Sequence, residues 1–202
     1  MDLTTLRARL RQDLHDEDET NYRWTDDVLD RHIGRAVREY SQACPRLASV
    51  TLQSTGSRRF DLTDETGLLW IREVEYPVDA TPIRRLPFRM EVNGWAYLFG
   101  DSLPAAGESV KFWYAAKHIL DEDGSTLPPE HEELVALGAA GFAAVESANY
   151  AIGRLNANGR APEWYRTWGE ARLREFWQRL DGLRAGAGAS PVAGGWKLGA
   201  RS

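Results

Sequence analysis

The chain has 202 residues, 43% hydrophobic and 27% charged, with a formal net charge of −5, the composition of one globular domain able to bury a sizeable core. Its longest apolar run is Leu134 to Val145, far short of the roughly 20 residues that cross a bilayer. The opening MDLTTLRARL lacks a charged segment followed by an apolar one, so neither a membrane role nor a signal peptide is expected. Cys44 is the single cysteine, which excludes an intrachain disulfide and any multi-cysteine zinc or iron–sulfur site.

Leu3, Leu6, Leu10 and Leu14 mark one face of a first helix, capped by Asp2 or Thr4 and closed by the acidic stretch HDEDET. A second helix opens at Thr25, with Asp26 and Asp27 in its first turn and Trp24 placed to staple onto Leu29. Its buried stripe is Val28, Leu29, Ile33, Ala36, Val37 and Tyr40, and Pro45 stops it. From Leu47 to about Leu120 the period changes to two. ASVTLQS, RRFDL, LLWIREVEY, TPIRRL, WAYLF and SVKFWYAAKHI read as about six short antiparallel strands between turn-rich segments, an inserted β module at residues 47–120 of the sandwich or barrel type.

Helix returns with Pro128 and Pro129 at its start and Glu130, Glu132 and Glu133 in the first turn, running to about Leu155. Small residues crowd its middle. Gly138, Gly141 and Ala144 are therefore expected to pack closely on other helices, within the subunit or between copies. After the turn NANG, a last helix over Pro162 to Leu183 carries Trp164, Trp168, Phe176, Trp177, Leu180 and Leu183 within one broad face. The fold class is thus α+β. Residues 1–46 and 121–183 build a bundle of four principal helices around the inserted module.

Residues 184–202, RAGAGASPVAGGWKLGARS, carry too little apolar surface to offset the entropy of ordering. They read as an extended C-terminal arm that docks outside its own subunit. Trp196 and Leu198 are its large apolar anchors, and Arg184, Lys197 and Arg201 are expected to pair with partner carboxylates. Charge is divided accordingly. From Arg154 onward there are nine Arg and Lys against four Asp and Glu, net +5, which leaves −10 for residues 1–153. Such polarity suits head-to-tail attraction between copies or docking on an acidic partner, and it argues against a body that wraps nucleic acid.

No catalytic pattern emerges. His131 begins an HExxH-like helix, but Val135 stands where the second histidine is required. Asp121 to Ser125 imitates a calcium loop, yet Thr126 occupies the sixth position, where that loop needs glycine. There is no GxSxG, no GxxxxGK[ST] and no strand-following GxGxxG. The eight Trp read as core or interface anchors before they read as stacking platforms. No metal or cofactor is expected.

The helix pair carrying WTDDVLDRHIGRAVREY and ending in Cys44-Pro45, the module closing on VKFWYAAKH, and the helix opening STLPPEHEELVALGAA together resemble the neck proteins of tailed bacteriophages, the head–tail adaptors or connectors. The resemblance covers roughly Leu3 to Tyr150. It implies a structural, non-enzymatic virion protein at the head–tail interface, made in the bacterial host cytoplasm. Such proteins form a homo-oligomeric, commonly dodecameric, ring between the portal protein and the tail or stopper protein. They extend the DNA channel without binding DNA specifically, and the C-terminal arm reaches the portal. A virion-associated hydrolase and a generic protein-interaction module are the competing readings.

Overall fold

The computed structural model of the chain describes residues 1–91, 93–152 and 161–187. Helix α1 (Leu3–Asp13) starts where the Asp2 carboxylate accepts the Thr5 amide at 2.7 Å, which satisfies one orphan donor of the first turn. It ends where His15 takes a left-handed φ of 53°. The His15 and Asp16 amides then return to the carbonyls of Gln12 (3.1 Å) and Arg11 (2.9 Å), the paired closure that satisfies the last free carbonyls of a helix. Helix α2 (Asp26–Ala43) is capped by the Thr25 hydroxyl, which accepts the Val28 amide at 3.4 Å. Its buried face includes Leu29, Ile33, Ala36, Val37 and Tyr40 as the spacing predicts, and adds His32 and Ser41.

The chain then enters a sandwich of two three-stranded antiparallel sheets. Strands β1 (Arg46–Gln53), β3 (Leu68–Glu75) and β6 (Ser109–Ala116) form one, in the order β1-β6-β3. Strands β2 (Arg59–Asp61), β4 (Phe88–Met90) and β5 (Trp95–Leu98) form the other, in the order β2-β5-β4. The second sheet's hairpin turns at Asn93 and Gly94, whose φ values of 71° and 81° belong to the positive-φ turns that hairpins favour. Phe60, Leu62, Ile71, Val74, Ala96, Leu98, Val110 and Phe112 fill the space between the sheets.

One expected strand is displaced. TPIRRL contributes only an isolated bridge, Arg85 to Glu75, with the Leu86 amide on the Val74 carbonyl at 2.8 Å, because Pro82 has no amide to extend a ladder. The strand of that region is Phe88–Met90 instead.

A small hairpin, β7 (Leu120–Asp121) with β8 (Gly124–Ser125), leads from the sandwich into a 3-10 turn at Pro129–His131 and then helix α3 (Glu132–Ile152). Helix α3 is apolar all round from Leu134 to Ala144 because that stretch is the centre of the bundle: Val135, Ala136, Ala139, Ala140, Ala143 and Ala144 are fully enclosed. Helix α4 (Ala161–Ala187) lies along it. The last helix runs four residues beyond Leu183, so Arg184 belongs to helix α4 and not to an arm. Phe176 and Leu180 are buried, whereas Trp164 is 53% exposed and stacks on Trp168.

Candidate interaction surfaces

The polar residues inside the molecule hold its two halves together. Tyr40 at the end of α2 hydrogen-bonds His131 Nδ1 at 2.6 Å, and burial pushes its phenol well above the ordinary range. His118 follows β6; its amide donates to the Ser41 hydroxyl at 2.9 Å. Its Nδ1 lies 2.7 Å from the Thr126 carbonyl and its Nε2 lies 3.0 Å from the Cys44 carbonyl. A neutral imidazole has one N–H and serves one of these carbonyls. Burial lowers the His118 pKa while the two carbonyls oppose that shift. These contacts splice α2, the sandwich and the segment before α3. Asp121, the start of the imitated calcium loop, instead accepts the amides of Asp123 and Gly124 at 3.1 Å, while Glu122 pairs with Arg7 at 3.2 Å. Among the described residues, no three of His, Cys, Asp and Glu gather as a metal site.

His32 is 2% exposed, its Nε2 makes no hydrogen bond, and Glu146 lies 3.6 Å away. Desolvation holds its pKa below 6.5; Glu146 opposes this, and Arg31 and Arg35 reinforce it. The folded chain therefore binds this proton less readily than the unfolded one. The stability tied to neutral His32 is complete above the unfolded pKa and is lost as pH falls through the folded value. Urea midpoints should fall between pH 7 and pH 5, and His32→Leu should flatten part of that slope. His118, shifted in the same direction, carries another part of it. A slope unchanged in the variant would remove His32 from this role.

Apolar surface reaches solvent on the outer faces of the sandwich as well as at Trp164. On the β1-β6-β3 sheet the register sets Leu47 and Trp70 on either side of Ala115, with Trp113 one row along. Leu47 is 60% exposed, Trp70 43% and Trp113 39%. Beside them lies an open groove of about 430 Å³, lined by Gln42, Cys44, Pro45, Leu47, Trp70, Arg72 and Arg184. Arg72 is exposed and has no ion-pair partner among the described residues, and Arg184 reaches only Asp181, at 3.2 Å. The sequence pattern carries one signal for this surface. Phe112-Trp113-Tyr114 and Leu68-Leu69-Trp70-Ile71 are apolar on both faces of their strands, as strands covered on both sides are.

The other sheet presents Arg59 over Trp95, at 4.9 Å, and Arg89 over Tyr97 and Phe99, at 5.7 and 5.8 Å. Glu91 takes a hydrogen bond from each arginine, at 2.9 and 3.4 Å. The sequence carries two arginine doublets, Arg58-Arg59 and Arg84-Arg85, and in the latter Arg85 pairs with Glu73. Each doublet, Arg58-Arg59 and Arg84-Arg85, thus has one member tied to a carboxylate.

Gly138, Gly141 and Ala144 face α4 of the same chain. A Cβ on Gly138 would stand 2.7 Å from the Phe176 ring, and one on Gly141 would stand 2.8 Å from Leu173. A Cβ on Gly169 would stand 3.0 Å from that of Ala144. Of the residues assigned to the arm, Arg184 is on α4 at the groove, and Trp196, Lys197, Leu198 and Arg201 lie outside the described residues.

No protein-family model and no curated protein matches the chain. Among solved structures it is similar to one described as the neck of an empty GTA particle computed with C6 symmetry. The TM-score is 0.33 and the identity 16%, over 83% of this chain and 88% of that chain.

Proposed function

We propose that the chain is a structural, non-enzymatic neck protein of a tailed-phage particle. Its copies form a ring, dodecameric in the family it resembles, between the portal protein and the tail or stopper protein. The single observation that carries this reading beyond the sequence resemblance is the exposed patch of Leu47, Trp70 and Trp113 beside two arginines. Large apolar side chains aligned on one face, with arginine at hand, have the composition of a protein–protein contact. The DNA channel runs through the ring, and the −10 of residues 1–153 lets DNA pass without holding it.

Two expected outcomes follow from the parts of this reading. The arm, residues 188–202, reaches the portal through Trp196 and Leu198, with Lys197 and Arg201 on partner carboxylates. A chain ending at Ala187 should melt within about 2 °C of the full chain, since termini outside the core add little, and should no longer bind portal rings. A large fall in melting temperature would assign those residues to their own core. Duplex DNA at physiological salt should bind weaker than about 100 μM, the weak end of non-specific affinity. Micromolar binding lost on neutralising Arg58-Arg59 or Arg84-Arg85 would overturn the passive channel.

The reading as a whole is tested by incubating the protein with purified portal rings of tailed phages and weighing the product by native mass spectrometry. Addition of a fixed, multiple number of copies supports the neck role; portal mass unchanged in every mixture rejects it.

A further inference from the structure

The groove beside Leu47 and Trp70 is at one end of α4, at Arg184. At the other end the chain presents the opposite chemistry. Tyr165, near the start of α4, touches the Leu14 carbonyl at 3.5 Å and packs edge-on to Trp24 at 5.9 Å, so the loop between α1 and α2 sits there. That loop exposes Glu17, Asp18, Glu19 and Tyr22, the last 40% exposed. Among the described residues none of the three carboxylates has a cationic partner; Asp18 accepts only from Thr20. Arg11 lies over the Tyr22 ring at 3.5 Å, which holds the aromatic group in place at the loop's tip.

We propose that the groove lined by Leu47, Trp70, Arg72 and Arg184 is the seat of a second copy of this chain, which inserts its Glu17–Tyr22 loop. The chemistry matches on both counts. Arg72 and Arg184 face the carboxylates, and Tyr22 meets the apolar floor of Leu47 and Trp70. The chain's own loop cannot be the occupant, because nineteen residues of helix separate Tyr165 from Arg184, about 28 Å at the helical rise. Two complementary surfaces at opposite ends of one rigid helix make a heterologous contact, which repeats from copy to copy and closes into a ring when the rotation permits. The proposal rests on the neck reading in naming the surfaces that would join copies of the ring.

The test uses two full-length variants whose defects lie on opposite partners. Arg72→Glu/Arg184→Glu spoils the groove and leaves the loop intact; Glu17→Gln/Glu19→Gln/Tyr22→Ala spoils the loop without giving it a charge that the reversed groove would attract, and leaves the groove intact. In sedimentation over a concentration series, the wild-type chain should gain mass, and each variant alone should self-associate at least about tenfold more weakly. An equimolar mixture retains one good groove and one good loop. It should therefore form a complex of two chains, about twice 22.7 kDa, and grow no further. Circular dichroism of each variant checks that its fold is kept, and Trp70→Ala provides a second groove variant free of charge reversal. A mixture that stays monomeric while the wild type associates, or a wild type monomeric up to millimolar protein, overturns the assignment. Variants that join the portal as well as the wild type does would also reject it and leave the neck reading standing. A two-chain complex from a protein that never binds a portal would do the reverse.

Discussion

Asp16→Ala is expected to destabilise the chain by about 3–5 kcal/mol, the range for stranding one partner of a buried ion pair. Arg11 and Asp16 are 7% and 6% exposed, and Arg11 Nη1 meets Asp16 Oδ2 at 2.7 Å. The same carboxylate accepts the amides of Arg23 at 2.7 Å and Trp24 at 3.2 Å. Its removal takes from Arg11 its one buried carboxylate, leaving it the exposed Asp26, the Trp24 carbonyl and the Tyr22 ring, and leaves two amides without an acceptor. The loop from His15 to Trp24 would loosen, and with it the entry to α2. Because a chain of this size loses about 2–4 °C per kcal/mol, the melting temperature should fall by at least about 6 °C. Asp16→Asn, which keeps the acceptor oxygen, should fall by less. Urea titration of both variants measures the difference; a loss below about 1 kcal/mol for Asp16→Ala would mean that the pair does not hold this loop.

Gly141→Leu is expected to be nearly as damaging, at about 3 kcal/mol, the upper end of ordinary overpacking. A Cβ there would stand 2.8 and 2.9 Å from Leu173 and 3.2 Å from the Gly169 carbonyl oxygen. The side chain of Leu173 can rotate away, but the helix backbone behind it cannot. The reciprocal position is equally crowded: a Cβ on Gly169 meets Val145 at 2.9 Å and the Gly141 carbonyl oxygen at 3.1 Å. Gly141 and Gly169 are therefore the point at which α3 and α4 touch backbone to backbone, and Gly169→Leu should parallel Gly141→Leu. Full retention of stability in both variants would show that the helices do not approach this closely.

Local rules made the helix starts legible. Thr25 before two aspartates, and Pro128-Pro129 before three glutamates, need only their neighbours to act; the first sets the expected boundary, and the second opens a 3-10 turn at Pro129–His131, with the α-helix beginning at Glu132. The two-residue period was enough for the sandwich interior, since Phe60, Val110 and Phe112 are buried by alternation. It misplaced the strand at TPIRRL, where apolar residues on either side of Pro82 imitate alternation but the chain lacks the amide for a ladder. The left-handed closure at His15 had no glycine to announce it. Gly138 and Gly141 were legible as a close approach, but their partner α4 was not, because Phe176 and Leu173 are over thirty positions away. The groove was beyond the sequence for the same reason. Leu47, Trp70 and Arg184 meet only after α2, the sandwich and α4 are in place.

The proposed neck role is tested most directly by electron microscopy of the purified chain mixed with portal rings of tailed phages. The expected image is a closed ring of this protein stacked coaxially on the portal's channel mouth, with the β1-β6-β3 face of each copy covered by a neighbour. Portal rings that remain bare at saturating protein, or carry it at scattered sites with no ring, would contradict the assignment.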